Sequence, residues 1–221
     1  MKNNSIHKNH RARMREKYKK HGADIFETHQ LVEMQLFSSI RQGDTNPAAH
    51  SLLNTHPYAA FGVETPSELC DADGIGEASA VMLCISRDAN IRLLCEMIAR
   101  EPLESESSRK LFLWLWFRNK GEKCVAALLL GNNSKYEDCV LLAEGRLSRP
   151  ENYSDALISK MKSCGAKAAV LCHNHWNNSK IPSVEDYYLT AFLNKALKKE
   201  GLSLDAHYIV TDTDIVECPK E

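Results

Sequence analysis

The sequence lacks an excess of either charge. Lys and Arg number 28 and Asp and Glu 29, a formal net charge of −1. That balance excludes bulk, non-specific attraction to nucleic acid and leaves room only for a local basic patch. Long apolar runs are missing too. They stop at seven residues, as in Leu111–Phe117, against the ~20 needed to span a bilayer. The polar, basic N-terminus is followed by no apolar stretch, so no signal peptide is expected. Among the eight cysteines (70, 84, 95, 124, 139, 164, 172 and 218) there is no C-x-x-C and no zinc-finger pairing. Most sit inside apolar runs, as free buried thiols of a reducing compartment do. These absences point to a soluble cytoplasmic protein with no membrane partner. With only 10 Gly and 7 Pro, 43% hydrophobic and 26% charged residues, low-complexity and collagen-like chains are excluded.

What remains is a globular chain of 221 residues, enough for one large domain or two small ones. Its first twenty residues carry eight Lys or Arg against Glu16 alone. They read as a solvated leading helix, or as a phosphate-contacting arm through Arg11, Arg13 and Arg15. Helical spacing continues from Thr28 to about Ile40, and Asn46-Pro47 opens a short helix. Thr65-Pro66-Ser67-Glu68 forms a capping box with proline at the first helical position. Asp73-Gly74-Ile75-Gly76 is a tight turn, and a long helix is expected from Glu77 to about Arg100. Residues 103–109 are the one linker-like stretch. They divide the chain into a helical domain, 1–102, and a second domain, 110–221.

The second half alternates between strand and helix signals. Leu111–Phe117 fits helix or strand, and Trp114 and Trp116 read as core. Cys124–Leu130 is a buried strand, Gly131–Ser134 a turn and Asp138–Ala143 the return strand. Tyr153–Ser163 is a helix stopped by Gly165. A buried strand, Ala168–Cys172, runs into His173-Asn174-His175. A helix from Ser183 to about Glu200 and strands over 202–210 and 214–218 follow. The pattern predicts a mixed sheet with helices, an α/β (α+β) fold.

Chemistry concentrates in His173-Asn174-His175, then seven residues, Ser183, two residues and Asp186. Positions i and i+2 of a strand share a face, so both imidazoles can aim at one point. A seven-residue loop can return the next helix to that point, with Asp186 in its first turn. Two His and one carboxylate leave a fourth position open, as catalytic zinc sites do. Taken alone, Ser183-Val184-Glu185-Asp186 is also an ordinary helix start. The conjunction favours a metal.

This spacing resembles the JAMM signature of the JAB/MPN metallopeptidases. The surrounding order is similar to the bacterial RadC family in particular, over nearly the whole chain. That includes Gly43-Asp44-Thr45-Asn46 and Asp73-Gly74-Ile75-Gly76 of a helix-hairpin-helix region. The resemblance implies a JAB/MPN (cytidine-deaminase-like) mixed-sheet domain after the helical one. It implies Zn2+ on His173, His175 and Asp186, with Ser183 orienting the site or supporting an oxyanion. Glu122 matches the general base at the start of an earlier strand, with Glu137 and Glu144 as rivals; by itself it is a strand-edge carboxylate. Trp176-Asn177-Asn178 stands where the family motif has Pro-Ser-Gly, and Trp176 either shapes substrate access or covers the site. The family's Asp-His pair becomes Ala206-His207, and His207 reads as structural or as a group behind the ligands.

The implied activity is zinc-dependent hydrolysis of a peptide or isopeptide bond in a protein substrate. The alternatives are a DNA-associated protein, linked by family to repair or recombination, and a protein-interaction module with a non-catalytic metal. Against DNA, no Lys or Arg lies between Gln42 and Ser86, while six carboxylates do. Phosphate binding is largely electrostatic, so the hairpin reads as packing. A nucleic-acid contact through the basic first helix stays open.

Overall fold

The computed structural model of the protein describes residues 9–56, 64–118, 120, 123–145, 151–175, 179–211 and 213–219. The chain divides into two compact units, Met1–Ala89 and Asn90–Glu221. The division falls inside one helix, α5, and not at 103–109. That stretch is packed within the second unit. Leu103 is buried in its core, and the Arg109 Nε–H donates to the Leu103 carbonyl at 2.7 Å. One apolar residue among polar neighbours made the stretch look like a linker.

The first unit holds α1 (His10–His21), α2 (Thr28–Leu36), α3 (Asn46–Thr55), the single turn α4 (Pro66–Leu69) and the start of α5 (Glu77–Ile98). Val32, Leu36, Leu52, Leu69, Ile75 and Leu83 form its core, and α1 docks Met14 beside Phe26 and Phe37. The capping box of α4 is made as its sequence dictates. Thr65 Oγ1 accepts the Glu68 N–H at 3.3 Å, and Glu68 Oε2 accepts the Thr65 N–H at 2.6 Å. Gly74 has φ +83°, and a Cβ there would stand 2.9 Å from the Ala48 Cβ. The adjacent Asp73 N–H donates to Ser51 Oγ at 2.8 Å. The hairpin glycine is therefore explained by a backbone seated on α3.

The second unit is a five-stranded mixed sheet with helices. After α6 (Glu106–Phe117) come β1 (Cys124–Leu130), β2 (Tyr136–Glu144), α7 (Glu151–Cys164), β3 (Ala168–Asn174), α8 (Val184–Lys199), β4 (Ser203–Val210) and β5 (Ile215–Glu217). The strand order is β2-β1-β3-β4-β5, and only β3 and β4 are parallel. β1 is an unbroken apolar run because both its faces are covered. Cys124, Ala126, Leu128 and Leu130 face Phe112 and Phe117; Val125, Ala127 and Leu129 face Leu157, Met161 and Leu193. The ambiguous run before it is helical: Ser105 Oγ caps α6 by accepting the Ser108 N–H at 3.0 Å. Phe112, Leu113, Leu115 and Phe117 turn inward, while Leu111 is half exposed. Trp114 and Trp116 are half-buried at the rim, not in the core, under the cations of Arg118 and Lys120. Among the described residues, no helix is long and apolar enough to cross a membrane.

Candidate metal centre

Two elements bring the candidate ligands together. β3 carries His173 on the face of the sheet that α8 covers. The chain leaves the strand at His175, whose N–H still donates to the Val210 carbonyl at 2.7 Å. That bond extends the pleat by one residue, so the two imidazoles stay on one side. From the other direction α8 begins with Ser183 as its cap. Ser183 Oγ accepts the Asp186 N–H at 3.2 Å, and Asp186 Oδ2 accepts the Ser183 N–H at 2.7 Å. The ordinary helix start thus also positions the candidate ligand Asp186. A capping box fixes the Asp186 carboxylate, and its position in the first turn aims it at β3.

The three donors converge. His173 Nε2 lies 3.0 Å from His175 Nε2 and 3.1 Å from Asp186 Oδ1, while His175 Nε2 and Asp186 Oδ2 are 3.9 Å apart. Ligand bonds of about 2.0–2.1 Å to tetrahedral zinc imply donor separations of about 3.3 Å. Among the described residues, this is the one group of three or more His, Cys, Asp or Glu that could hold a metal ion. His175 Nδ1 sits 3.1 Å from the Ser179 carbonyl, which can only accept. A neutral His175 therefore carries its proton on Nδ1 and presents a bare Nε2 to the other ligands. Nitrogen lone pairs and a carboxylate facing one point are the donor set of a cation, and the residues fit zinc.

The surroundings reinforce these charge states. Burial, with the neighbouring His173, lowers the His175 pKa and favours the neutral, ligating form. Burial opposes ionisation of Asp186. The close approach of His173 at 3.1 Å and the capping box with Ser183 outweigh it and hold the carboxyl well below the usual range. Behind the ligands, His173 Nδ1 meets His207 Nε2 at 2.8 Å. His207 is completely buried, and burial pulls its pKa down to about 3.

The structure distributes the other expected residues unevenly. Ser183 is at the site, with its hydroxyl oxygen accepting the cap bond. Glu122 and Trp176 lie outside the described residues. Of the rivals to Glu122, Glu137 is next to Tyr136, which pairs with Leu130 at the far end of β1. Glu144 pairs with Cys124 at the ligand end. Asp205, one residue from the position of the missing family acid, faces Arg109 at 3.3 Å and accepts from Ser203 Oγ at 2.9 Å. In the first unit, Arg11 donates to the carbonyls of Phe37, Arg41 and Gly43 at 3.4, 3.1 and 3.1 Å and lies over the Phe37 ring. It ties α1 to the connection between α2 and α3. Arg15 approaches the same ring, and Arg13 is exposed. Sequence reasoning missed Thr190 altogether. Its signal was its place four residues after Asp186, on the same face of α8.

Residues 104–218 match the model of the RadC-like JAB domain. The chain is 30% identical over 219 residues to a UPF0758 protein of Fusobacterium nucleatum, covering 91% of each chain. It is also similar to UPF0758 proteins of Tolumonas auensis, 26% identical over 207 residues, and Ruegeria pomeroyi, 25% over 205 residues. Each match covers 92% of both chains.

Proposed function

The chain belongs to the RadC-like JAB family, and from that premise we propose that it is a zinc-dependent hydrolase of the JAMM class, cleaving a peptide or isopeptide amide. The observation that carries this reading is the convergence of His173, His175 and Asp186 on one point at the end of β3. Bound there, zinc would supply Lewis-acid polarisation of the scissile carbonyl and a nucleophile at neutral pH. The remaining work falls to the protein's own groups. Glu122 takes a proton from the attacking water and passes it to the leaving amine. Its assignment is supported by the start of β1, two residues on: the Cys124 N–H donates to Asn174 Oδ1 at 2.6 Å, between the two ligand histidines in sequence. Ser183, held by the cap of α8, offers its hydroxyl to the developing oxyanion.

The test is metal content by mass spectrometry on protein purified without added metal, beside the His173→Ala, His175→Ala double variant. About one zinc per chain, lost in the variant, is the expected result. In a peptidase screen on the zinc-loaded protein, Glu122→Gln is expected to keep the metal and lose at least 100-fold in hydrolysis. A native chain that takes up no zinc even on reconstitution would sink the hydrolase reading and return attention to the basic α1 and nucleic acid.

A further inference from the structure

Thr190 and His207 form a path of hydrogen bonds behind the candidate ligands whose direction is forced at one end. Thr190 Oγ1 lies 2.7 Å from the Asp186 carbonyl, one helical turn back. A carbonyl only accepts, so the single hydroxyl proton of Thr190 is committed there. Thr190 Oγ1 is also 2.6 Å from His207 Nδ1, and with its own proton committed it must accept from that nitrogen. The buried, neutral His207 has one ring proton, which therefore sits on Nδ1. Its Nε2 is bare and faces His173 Nδ1 at 2.8 Å, so His173 must carry its proton on Nδ1. What remains on His173 is a bare Nε2, aimed at His175 and Asp186. The Cys218 thiol, 3.7 Å from Thr190 Oγ1, can fill the last lone pair of the hydroxyl. All three groups are almost fully buried: Thr190 is 2% exposed, His207 0% and Cys218 0%. No water therefore needs to enter to satisfy them.

We infer that Thr190 and His207 are positioning residues of the metal centre: the directed chain from His173 Nδ1–H to His207, to Thr190, to the Asp186 carbonyl fixes the tautomer in which His173 presents a bare Nε2 to the metal. The inference rests on the metal reading above and extends it. The chain begins on one ligand and ends on the backbone of another, so it also ties β3 to the first turn of α8. A hydroxyl is required at 190. Without it, His207 can carry its proton on Nε2, which turns an N–H toward His173 Nδ1. His173 would then protonate Nε2, the atom that must bind the metal.

The test uses the full chain and Co(II) as the probe, with Thr190→Val, which keeps the shape, and Thr190→Ser, which keeps the hydroxyl. Co(II) affinity is read by visible absorption in competition with a chelator, beside the melting temperature of the metal-free protein. Thr190→Val is expected to bind Co(II) about 10- to 100-fold more weakly. Thr190→Ser is expected to restore affinity to within about threefold of the unsubstituted chain. A packing role alone would shift the melting temperature and leave the affinity of the folded protein unchanged. Nitrogen-detected NMR of the unsubstituted, zinc-loaded chain is expected to show His207 and His173 both protonated on Nδ1. It needs no variant to fold. Normal Co(II) binding by Thr190→Val, or a proton on His207 Nε2, would overturn the inference while leaving the metal centre intact. Failure of the unsubstituted chain to bind Co(II) would instead overturn the metal reading, and this inference with it.

Discussion

Asp186 answers two demands with one carboxylate. One oxygen closes the capping box with the Ser183 N–H while the other faces His173. A helix N-terminus favours negative charge, so the fold stabilises the anion that a cation would need. Glycines show the same economy at the residue scale. Gly74 needs both its φ of +83° and its missing Cβ, which would lie 2.9 Å from Ala48. Gly165 needs only its φ of +79°, with nothing within 4 Å of an added Cβ. A left-handed residue with a side chain costs about 1–2 kcal/mol, and a steric overlap adds to it. Gly74→Ala is therefore expected to lower stability by about 2–4 kcal/mol and Gly165→Ala by about 1–2 kcal/mol. Urea denaturation followed by circular dichroism measures both, and equal losses would contradict the role given to Ala48.

At the scale of the element, α6 shows how a cap settles what periodicity leaves open. The run Leu111–Phe117 is apolar at every position, so neither a period of two nor one of 3.6 stands out. Ser105 begins the helix six residues earlier, and packing against the sheet turns Phe112, Leu113, Leu115 and Phe117 inward. Ser105→Ala is expected to cost about 1 kcal/mol, and Ser105→Asp to retain most of it, since Asp caps as well as Ser. Thermal or urea melts of the two variants decide this. The strand pair β3 and β4 is the counterpart. A register shift between Ala169 and Val170 sets Leu171 opposite His207 and His173 opposite Ile209. His207 then lies on the same face as His173, two residues back along β4.

For the whole molecule, buried thiols predict an alkaline limit. All eight cysteines are free. Burial pushes the Cys95 thiol up to about 11 and Cys124 up to about 12, and holds Cys139 and Cys172 well above the ordinary 9.0. Thiols with raised folded pKa values give their full stability below about pH 9. They lose it as pH rises through the folded values, because only the unfolded chain releases the protons. Each such thiol contributes a slope of roughly 1.4 kcal/mol per pH unit in that window. Urea midpoints under reducing conditions are therefore expected to fall between about pH 8.5 and 10.5. A flat profile would show that these thiols ionise in the folded state.

The sequence alone determined the local features. Cys124–Leu130 is a buried strand because every residue is apolar. Thr65 and Ser183 cap helices because their partners stand three residues on. His173, His175 and Asp186 come together as a candidate ligand set because the period of a strand and the first turn of a helix are fixed by backbone geometry. Two other features depended on tertiary structure. Polar neighbours disguised residues 103–109 as a linker, although Leu103 finds the core only once β1 and α6 are packed. The contact between Thr190 and His207 joins α8 to β4 and exists only because α8 lies against the β3–β4 pair in that register. Bond geometry constrains neighbours within a few residues, whereas which face of one element meets which face of another is decided by burying the whole apolar surface at once.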